Sequence, residues 1–211
     1  MPDLFINWDV LLSPLYARYG SRRHPLWCAN RYQLLVKVLL SAQDSDSHIN
    51  ALSPSFFTAF PSMHELSTAS EQDILGCIRS VRNHANKARW LKEIAEMIQE
   101  DENIPHDLVS LTALPGIGRK SANVIIRESG GTAEGIIVDL HVQRVAPRLR
   151  ISFAKRPEKI ENEMMELIPP ANWDKAGMAL SFLGREVCRP TGPLCGGCPV
   201  KAVCGWEKKR L

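Results

Sequence analysis

The sequence predicts an all-α protein. Apolar residues recur at helical spacing in several separate segments, and signals that start helices stand before others. Valine and isoleucine cluster at 124–126 and 136–138, but the first cluster continues a helical pattern and the second is too short to build a sheet. We therefore expect helices along most of the chain.

Two long amphipathic helices are expected in the first half of the chain. Their core-facing residues are Tyr32, Leu35, Val36, Leu39 and Leu40 in the first and Ala88, Leu91, Ala95 and Ile98 in the second. Between them, Ser62 stands three residues before Glu65, which is the spacing of a capping box, and Ser70 precedes an acidic first turn. Pro105 suits the first position of a later helix that carries Leu108 and Leu111.

Composition and charge exclude few classes of protein. The chain has 211 residues, 45% of them hydrophobic, which is enough for one sizeable core or two modest ones. The apolar run 34–40 is short and interrupted by Lys37, so we expect no membrane role. A formal charge of +3 permits a polyanionic partner without requiring one.

Four cysteines follow one another near the end of the chain as Cys188-x6-Cys195-x2-Cys198-x5-Cys204. Soft sulfur ligands in so short a segment select zinc or an iron–sulfur cluster over magnesium or calcium. Structural zinc usually takes two C-x2-C pairs, whereas this run has one such pair between wider gaps. The uneven spacing favours a four-cysteine [4Fe-4S] cluster, with zinc as the alternative.

Two disulfides are a further alternative for these cysteines. Residues 1–7 contain an acidic residue and precede no sustained apolar stretch, so they do not resemble a signal peptide. We therefore expect a reducing compartment, the cytoplasm or nucleoid, where disulfides are uncommon. A nuclear location stays open.

A second chemical signal is the segment 114–120, which reads LPGIGRK between two helical patterns. Gly116 and Gly118 permit positive φ and remove β-carbons that would block a close approach. Backbone amides there, with the start of a helix near Lys120, would form a phosphate site to which Arg119 adds charge. A tight turn between two helices is the alternative. Further along, Asp139 precedes an apolar periodic stretch and has the position of a helix N-cap.

With the hairpin, the aspartate and the cysteine run in this order, the chain resembles the endonuclease III family of helix-hairpin-helix DNA glycosylases. Further matches are LSAQ at 40–43 with Asp46, and Gly184-Arg185 ahead of the cysteines, whose spacing is the family's own. The resemblance implies two helical domains with a DNA-binding cleft between them. A six-helix domain with the helix-hairpin-helix motif is expected at 24–133, and an iron–sulfur cluster domain at 1–23 plus 134–211.

The resemblance also implies roles for single residues. Lys120 is the nucleophile that forms a Schiff base, and Asp139 stabilises developing charge on the sugar or helps to activate the nucleophile. Gln43 fills the gap left by a flipped base, unless it is simply a polar helix end. Phosphate contacts fall to Leu114, Gly116, Gly118 and Arg119, and the cluster ligands are Cys188, Cys195, Cys198 and Cys204.

Three departures from the family pattern affect the expected DNA contacts. Leu140 stands where the family usually has threonine. Arg82, Asn83 and His84 occupy a loop that in the family inserts an apolar side chain opposite the damaged base. These polar side chains would hydrogen-bond to the orphaned base or stack on it, or they are solvated. Arg189 is the one basic residue between the first two cysteines, where the family often has several.

We therefore expect a base excision repair enzyme: a bifunctional DNA glycosylase with abasic-site β-elimination lyase activity, acting on oxidised pyrimidines. Its partner would be double-stranded DNA with a damaged base or an abasic site, bound by a monomer and without a membrane. One alternative is a glycosylase for mismatched thymine or uracil or for alkylated bases. Another is a non-catalytic DNA-damage binding protein with a redox-sensing cluster, but such a protein has no need of both Lys120 and Asp139.

Overall fold

The computed structural model describes residues 7–209, and no strand occurs within that range. The all-α prediction is confirmed. The α-helices of the described residues are α1 Trp8–Tyr19, α2 Arg31–Ser41, α3 Asp46–Ala59, α4 Met63–Thr68, α5 Glu71–Cys77, α6 His84–Ile98, α7 Leu108–Thr112, α8 Arg119–Glu128, α9 Leu140–Leu149, α10 Pro157–Leu167 and α11 Trp173–Glu186. Short 3-10 turns lie at Asp101–Asn103, Pro170–Asn172 and Cys195–Gly197. Among these helices none is long and apolar enough to cross a membrane.

The chain forms two compact units. One consists of residues 23–131 and contains α2 to α8. The other joins residues 7–22 to residues 132–209 and contains α1 and α9 to α11. Each unit buries apolar faces of its own helices, as the two modest cores allowed by the composition would require.

The unit formed by residues 23–131 has α2 at its centre, in contact with α3, α6 and α8. The predicted apolar faces of α2 and α6 are both buried, from Tyr32 to Leu40 in the first helix and from Ala88 to Ile98 in the second. Asn30 begins α2 by accepting a hydrogen bond from the Gln33 backbone at 2.9 Å. Because α2 packs against three helices, the position of its C-terminal end is fixed, and so is the point from which the next residues extend.

Two predicted helix starts are confirmed. The Ser62 hydroxyl caps α4 by accepting from the backbone N–H of His64 at 3.1 Å. Ser70 caps α5 by accepting from the backbone N–H of Asp73 at 3.1 Å, and the Asp73 carboxylate accepts from the Ser70 backbone in return, which completes a capping box.

The predicted helix start at Pro105 is wrong. Helix α7 begins at Leu108, because the Asp107 carboxylate accepts a hydrogen bond from the backbone N–H of Ser110 at 2.9 Å. A carboxylate that caps an otherwise unpaired N–H fixes the start of a short helix more strongly than a proline that only restricts φ.

In the unit that contains α9 to α11, residues 136–138 form a buried segment outside the helices. A β-carbon on Gly177 of α11 would lie 2.6 Å from the backbone N and O of Ile137, so glycine allows this segment to lie directly against the helix. On the next stretch of α11, a β-carbon on Gly184 would lie 2.7 Å from Cβ of His141 on α9. These close approaches fix the position of Asp139, which follows the buried segment and caps α9.

Candidate active site and nucleic-acid contacts

The hairpin at 114–118 needs glycine at one of its two glycine positions. Gly116 has φ +75°, and a β-carbon there would lie 2.5 Å from Cε3 of Trp90. Gly118 has φ −86° and open space around the position of a β-carbon, so neither a positive φ nor a close approach requires glycine there. Gly118 is instead the N-cap of α8, and lacking a side chain it leaves the amides of the first turn accessible.

The hairpin is anchored by its apolar residues and exposes its glycines. Leu114 and Ile117 are buried, and the Ile117 backbone N–H donates to the Leu114 carbonyl at 3.1 Å. Gly116 and Gly118 are exposed. The predicted phosphate contact of Leu114 is therefore left to its backbone, because its side chain belongs to the core.

Arg119 and Lys120 occupy the first turn of α8 and are both half-buried. The following residues from Ala122 to Ile126 are buried and hold the helix in the unit. The N-terminal end of a helix carries partial positive charge, which attracts an anion and favours the neutral form of an amine. This end of α8 is therefore suited to a phosphate and to an amine nucleophile.

Gln43 lies in a turn just after α2, and its side chain is exposed. Its φ of +61° is left-handed, which is uncommon for a residue other than glycine. Arg82, Asn83 and His84 are also exposed, and Asn83 at the start of α6 has φ +59°. The predicted DNA contacts of this unit outside the hairpin therefore lie on two surface turns that share an unusual backbone conformation.

Asp44 and Lys87, which the sequence reasoning did not single out, lie beside these two turns and connect them. Burial favours the neutral form of Asp44, but hydrogen bonds from the Arg82 backbone and from His48 lower the pKa of its carboxyl to about 2. Lys87 is buried, and desolvation lowers the pKa of its ammonium while the charge of Asp44 opposes that shift. No sequence pattern around Asp44 or Lys87 identifies the groups that they contact.

In the other unit, Asp139 is the N-cap of α9. Oδ1 accepts from the backbone N–H groups of His141 and Val142 at 2.8 and 2.9 Å. Oδ2 accepts from the Ser181 hydroxyl at 2.6 Å and lies 3.8 Å from a guanidinium nitrogen of Arg185. The N-cap prediction is confirmed, and the side chain, 11% exposed, is held rigid on both oxygens.

Ser181 is a contact of Asp139 that the sequence reasoning missed. It lies on α11, 42 residues further along the chain, and is buried. Its signal in the sequence is one polar residue in an apolar helix, which names no partner. Leu140, where the family usually has threonine, is 65% exposed, so it offers an apolar surface directly beside the aspartate.

The four cysteines of the predicted cluster line one cavity, and all four are free thiols. The rest of its wall is apolar or cationic: Leu149, Leu183, Val187, Trp206, Arg148, Lys201 and Lys209. Burial raises the pKa of Cys198, and the three other thiols add to the shift. Within residues 7–209, no group of three or more His, Cys, Asp or Glu is placed to hold a metal ion.

Arg148 joins this cavity to the loop that carries Arg189. Its guanidinium lies 4.0 Å from the ring centroid of Trp206 and donates to Sγ of Cys188 at 3.2 Å and to the Arg189 carbonyl at 2.9 Å. The Arg189 side chain is exposed and donates to the Glu186 carbonyl at 3.0 Å. Of the basic residues near the C-terminus, Arg210 lies outside the described residues.

Comparison with known proteins gives one consistent group of relatives. The model of the HhH-GPD superfamily of base excision DNA repair proteins matches residues 36–170. Endonuclease III of Synechocystis sp. is 36% identical over 174 residues, which span 82% of this chain and 80% of that protein.

Two solved structures are similar over nearly the whole chain. A non-covalent endonuclease III–DNA complex aligns with a TM-score of 0.84 and 30% identity, covering 93% of this chain and 92% of the other. A trapped endonuclease III–DNA covalent intermediate aligns with the same TM-score and identity, covering 93% of each chain.

Proposed function

The chain belongs to the HhH-GPD superfamily of base excision DNA repair proteins, and from this premise we propose that it is a bifunctional DNA glycosylase and abasic-site lyase. The observation that carries the proposal is the position of Lys120, the amine in the first turn of α8 directly after the Gly116–Gly118 hairpin. Similar relatives are named endonuclease III. One similar solved structure is an endonuclease III trapped as a covalent intermediate with DNA.

The proposed reaction begins when the damaged nucleotide leaves the helical stack, because its C1′–N bond is otherwise out of reach. The hairpin amides and Arg119 hold a backbone phosphate, and Gln43 occupies the gap in the duplex. The neutral amine of Lys120 then attacks C1′. The new N–C1′ bond replaces the bond to the base, which leaves with a proton.

The covalent intermediate explains the second activity. Opening of the sugar ring gives a Schiff base between Lys120 and C1′. Loss of a proton from C2′ then expels the 3′ phosphate by β-elimination, and water releases the lysine. Asp139, whose carboxylate is held in place by two backbone amides and a hydroxyl, is suited to stabilise positive charge that develops on the sugar.

We propose oxidised pyrimidines as the substrate class, since the relatives are named endonuclease III. Two features of this chain would modify the preference for oxidised pyrimidines. The exposed side chain of Leu140 replaces a hydroxyl beside Asp139, and the exposed polar side chains of Arg82, Asn83 and His84 offer hydrogen bonds to the base left without a partner.

We propose that Cys188, Cys195, Cys198 and Cys204 hold a [4Fe-4S] cluster. Four sulfur donors on one cavity, with cationic groups in its wall, fit an anionic thiolate cluster. When bound, the cluster supplies a structural crosslink for the C-terminal segment. Arg189, on the loop between the first two ligands, would then present its guanidinium to a phosphate.

The proposed partner is double-stranded DNA that contains a damaged base or an abasic site, bound by a monomer of this chain. We propose action in the cytoplasm at the nucleoid.

Sodium borohydride trapping tests the nucleophile directly, because it reduces a Schiff base to a stable crosslink. Labelled duplexes with an abasic site, an oxidised pyrimidine, a uracil or a G·T mismatch are incubated with wild type, Lys120→Ala and Lys159→Ala. Lys159 is an exposed lysine of α10 and serves as the matched control. Crosslinking by wild type and Lys159→Ala but not by Lys120→Ala is the expected result, and the lesion that crosslinks most names the substrate.

Two other results lead to the alternatives. Release of bases without crosslinking identifies a glycosylase that uses water, and the duplex panel then distinguishes thymine or uracil mismatches from oxidised bases. Binding of the duplexes with neither activity identifies a damage-binding protein.

A further inference from the structure

The two turns of the 23–131 unit that carry predicted DNA contacts have the same backbone irregularity, which Gln99 at the end of α6 also shows. Gln43 has φ +61° and Asn83 has φ +59°, and neither is glycine. Such residues persist in the left-handed region only when the surrounding structure holds them there, and they gather where a site requires them. The groups that hold the two turns are therefore informative about what the turns do.

Asp44 ties the first turn to the second. It directly follows Gln43, and its Oδ2 accepts from the backbone N–H of Arg82 at 2.9 Å. Oδ1 accepts from the Ser45 backbone at 2.8 Å and is 2.9 Å from Nδ1 of His48. The residue after one left-handed position is thus bonded to the residue before the other.

Lys87 makes the reverse connection. It lies in the first turns of α6, which begins at the second turn, and its ammonium donates to the carbonyls of Leu40 and Ala42 at 2.7 and 2.6 Å. Ala42 directly precedes Gln43. Lys87 is only 1% exposed, so its charge is compensated by these two carbonyls at the end of α2 and by the nearby carboxylate of Asp44.

We propose that Asp44 and Lys87, which we name the two-turn brace, are positioning residues that lock the Gln43 turn and the 82–84 turn into one rigid reading unit. The inference rests on the proposed function, in which side chains of both turns enter DNA. A brace that crosses in both directions makes the turns move together. The contact of Gln43 then sets the register of Arg82, Asn83 and His84 on the base that has lost its partner.

The brace predicts energetic coupling between the turns, which removal of Asp44 abolishes. Truncation of Asp44 takes away the acceptor of the Arg82 N–H and the counter-charge of Lys87, so the turns should respond to DNA separately. Binding is measured by fluorescence anisotropy with two duplexes, one that contains a tetrahydrofuran abasic analogue and an undamaged one of the same sequence. Gln43→Ala and His84→Ala are introduced singly and together, in the wild-type background and in Asp44→Ala.

In the wild-type background, the combined loss of affinity for the tetrahydrofuran duplex should differ from the product of the single losses by at least about threefold. In the Asp44→Ala background, the losses should multiply to within about 1.5-fold. Asp44→Asn, which keeps an oxygen for the Arg82 N–H, should restore part of the coupling.

Asp101→Ala is the matched control. Asp101 accepts from the backbone N–H of Met63 at 2.8 Å, a carboxylate–backbone bond with the same sequence separation of 38 residues as Asp44 and Arg82, and neither of these partners belongs to the two turns. The coupling should survive in this background. If it disappears there as well, the effect is general loosening and the brace is overturned.

The outcomes separate the brace from the proposed function. If wild type prefers the tetrahydrofuran duplex but the coupling survives in Asp44→Ala, the brace is wrong and the function stands. If wild type does not prefer the tetrahydrofuran duplex, or neither single substitution weakens binding to it, the DNA roles of the turns fail and the brace fails with them.

Discussion

Exchange of the Asp139 carboxylate for an amide tests its proposed role most sharply. Capping needs only an oxygen acceptor, whereas stabilising positive charge on the sugar needs a negative charge. In Asp139→Asn, the amide oxygen keeps the bonds from the backbone N–H groups of His141 and Val142. The Ser181 hydroxyl, which now donates to Oδ2, can rotate to accept from the new NH2 group.

The expected cost in stability is therefore small and the expected cost in rate is large. Asparagine and aspartate are nearly equivalent N-caps, and losing the attraction of a full charge to the helix dipole costs about 0.3–1 kcal/mol. Removing a preorganised electrostatic partner of a transition state costs about 2.7–4 kcal/mol, which lowers the rate about 10²–10³-fold. Single-turnover cleavage of an abasic duplex measures the rate, and urea unfolding measures the free energy of unfolding.

Two comparisons make the result decisive. Asp139→Ala also removes the cap, and its free energy of unfolding should be lower than that of Asp139→Asn by about 1 kcal/mol. Asp107→Asn makes the same chemical change at the N-cap of α7, which accepts from the Ser110 backbone at 2.9 Å, and should leave the cleavage rate unchanged. A charge-based role is refuted if Asp139→Asn cleaves within about threefold of wild type.

Three further changes have distinct expected outcomes. By urea unfolding, Gly116→Ala should lower the free energy of unfolding by about 1–3 kcal/mol, because it combines a positive φ with a clash against Trp90, whereas Gly118→Ala should lower it by less than about 1 kcal/mol. The low pKa of Asp44 means that its contribution to stability is complete above about pH 4 and is lost toward pH 2. The difference in free energy of unfolding between wild type and Asp44→Asn should therefore become smaller as the pH falls through that window. A difference that does not change with pH would contradict stabilisation by an ionised, hydrogen-bonded Asp44 carboxylate. Arg148→Ala removes a donor to a cysteine sulfur, so the visible absorbance of the proposed [4Fe-4S] cluster should bleach faster in air, with Arg148→Lys intermediate. Equal bleaching rates would exclude that stabilising role.

The fold was predictable wherever neighbours in sequence decide the structure. The buried faces of α2 and α6 follow from helical spacing, and the starts of α4 and α5 follow from Ser62 and Ser70, because a cap and its partner lie within one turn. The error at Pro105 came from weighing a φ preference above a competing carboxylate cap two residues later. Local patterns therefore fix helices but can misplace an end when two start signals compete.

The candidate site was predictable only in part, because its supports come from distant segments. The capping position of Asp139 was visible in the sequence, but its bond to Ser181 spans 42 residues. Lys87 reaches carbonyls 47 and 45 residues earlier, and no spacing rule connects them. Residue type also says little about the glycine pair, because both glycines permit a positive φ and only the folded hairpin shows that Gly116 adopts one and Gly118 does not.

The two residues proposed to perform the chemistry each lie at the N-terminal end of a helix, one in each unit. Lys120 lies in the first turn of α8, and Asp139 caps α9. The partial positive charge at a helix start favours a carboxylate as its anion and an amine as its neutral form. The proposed roles need the carboxylate as its anion and the amine as its neutral form, so each residue lies at the kind of helix end that suits its role.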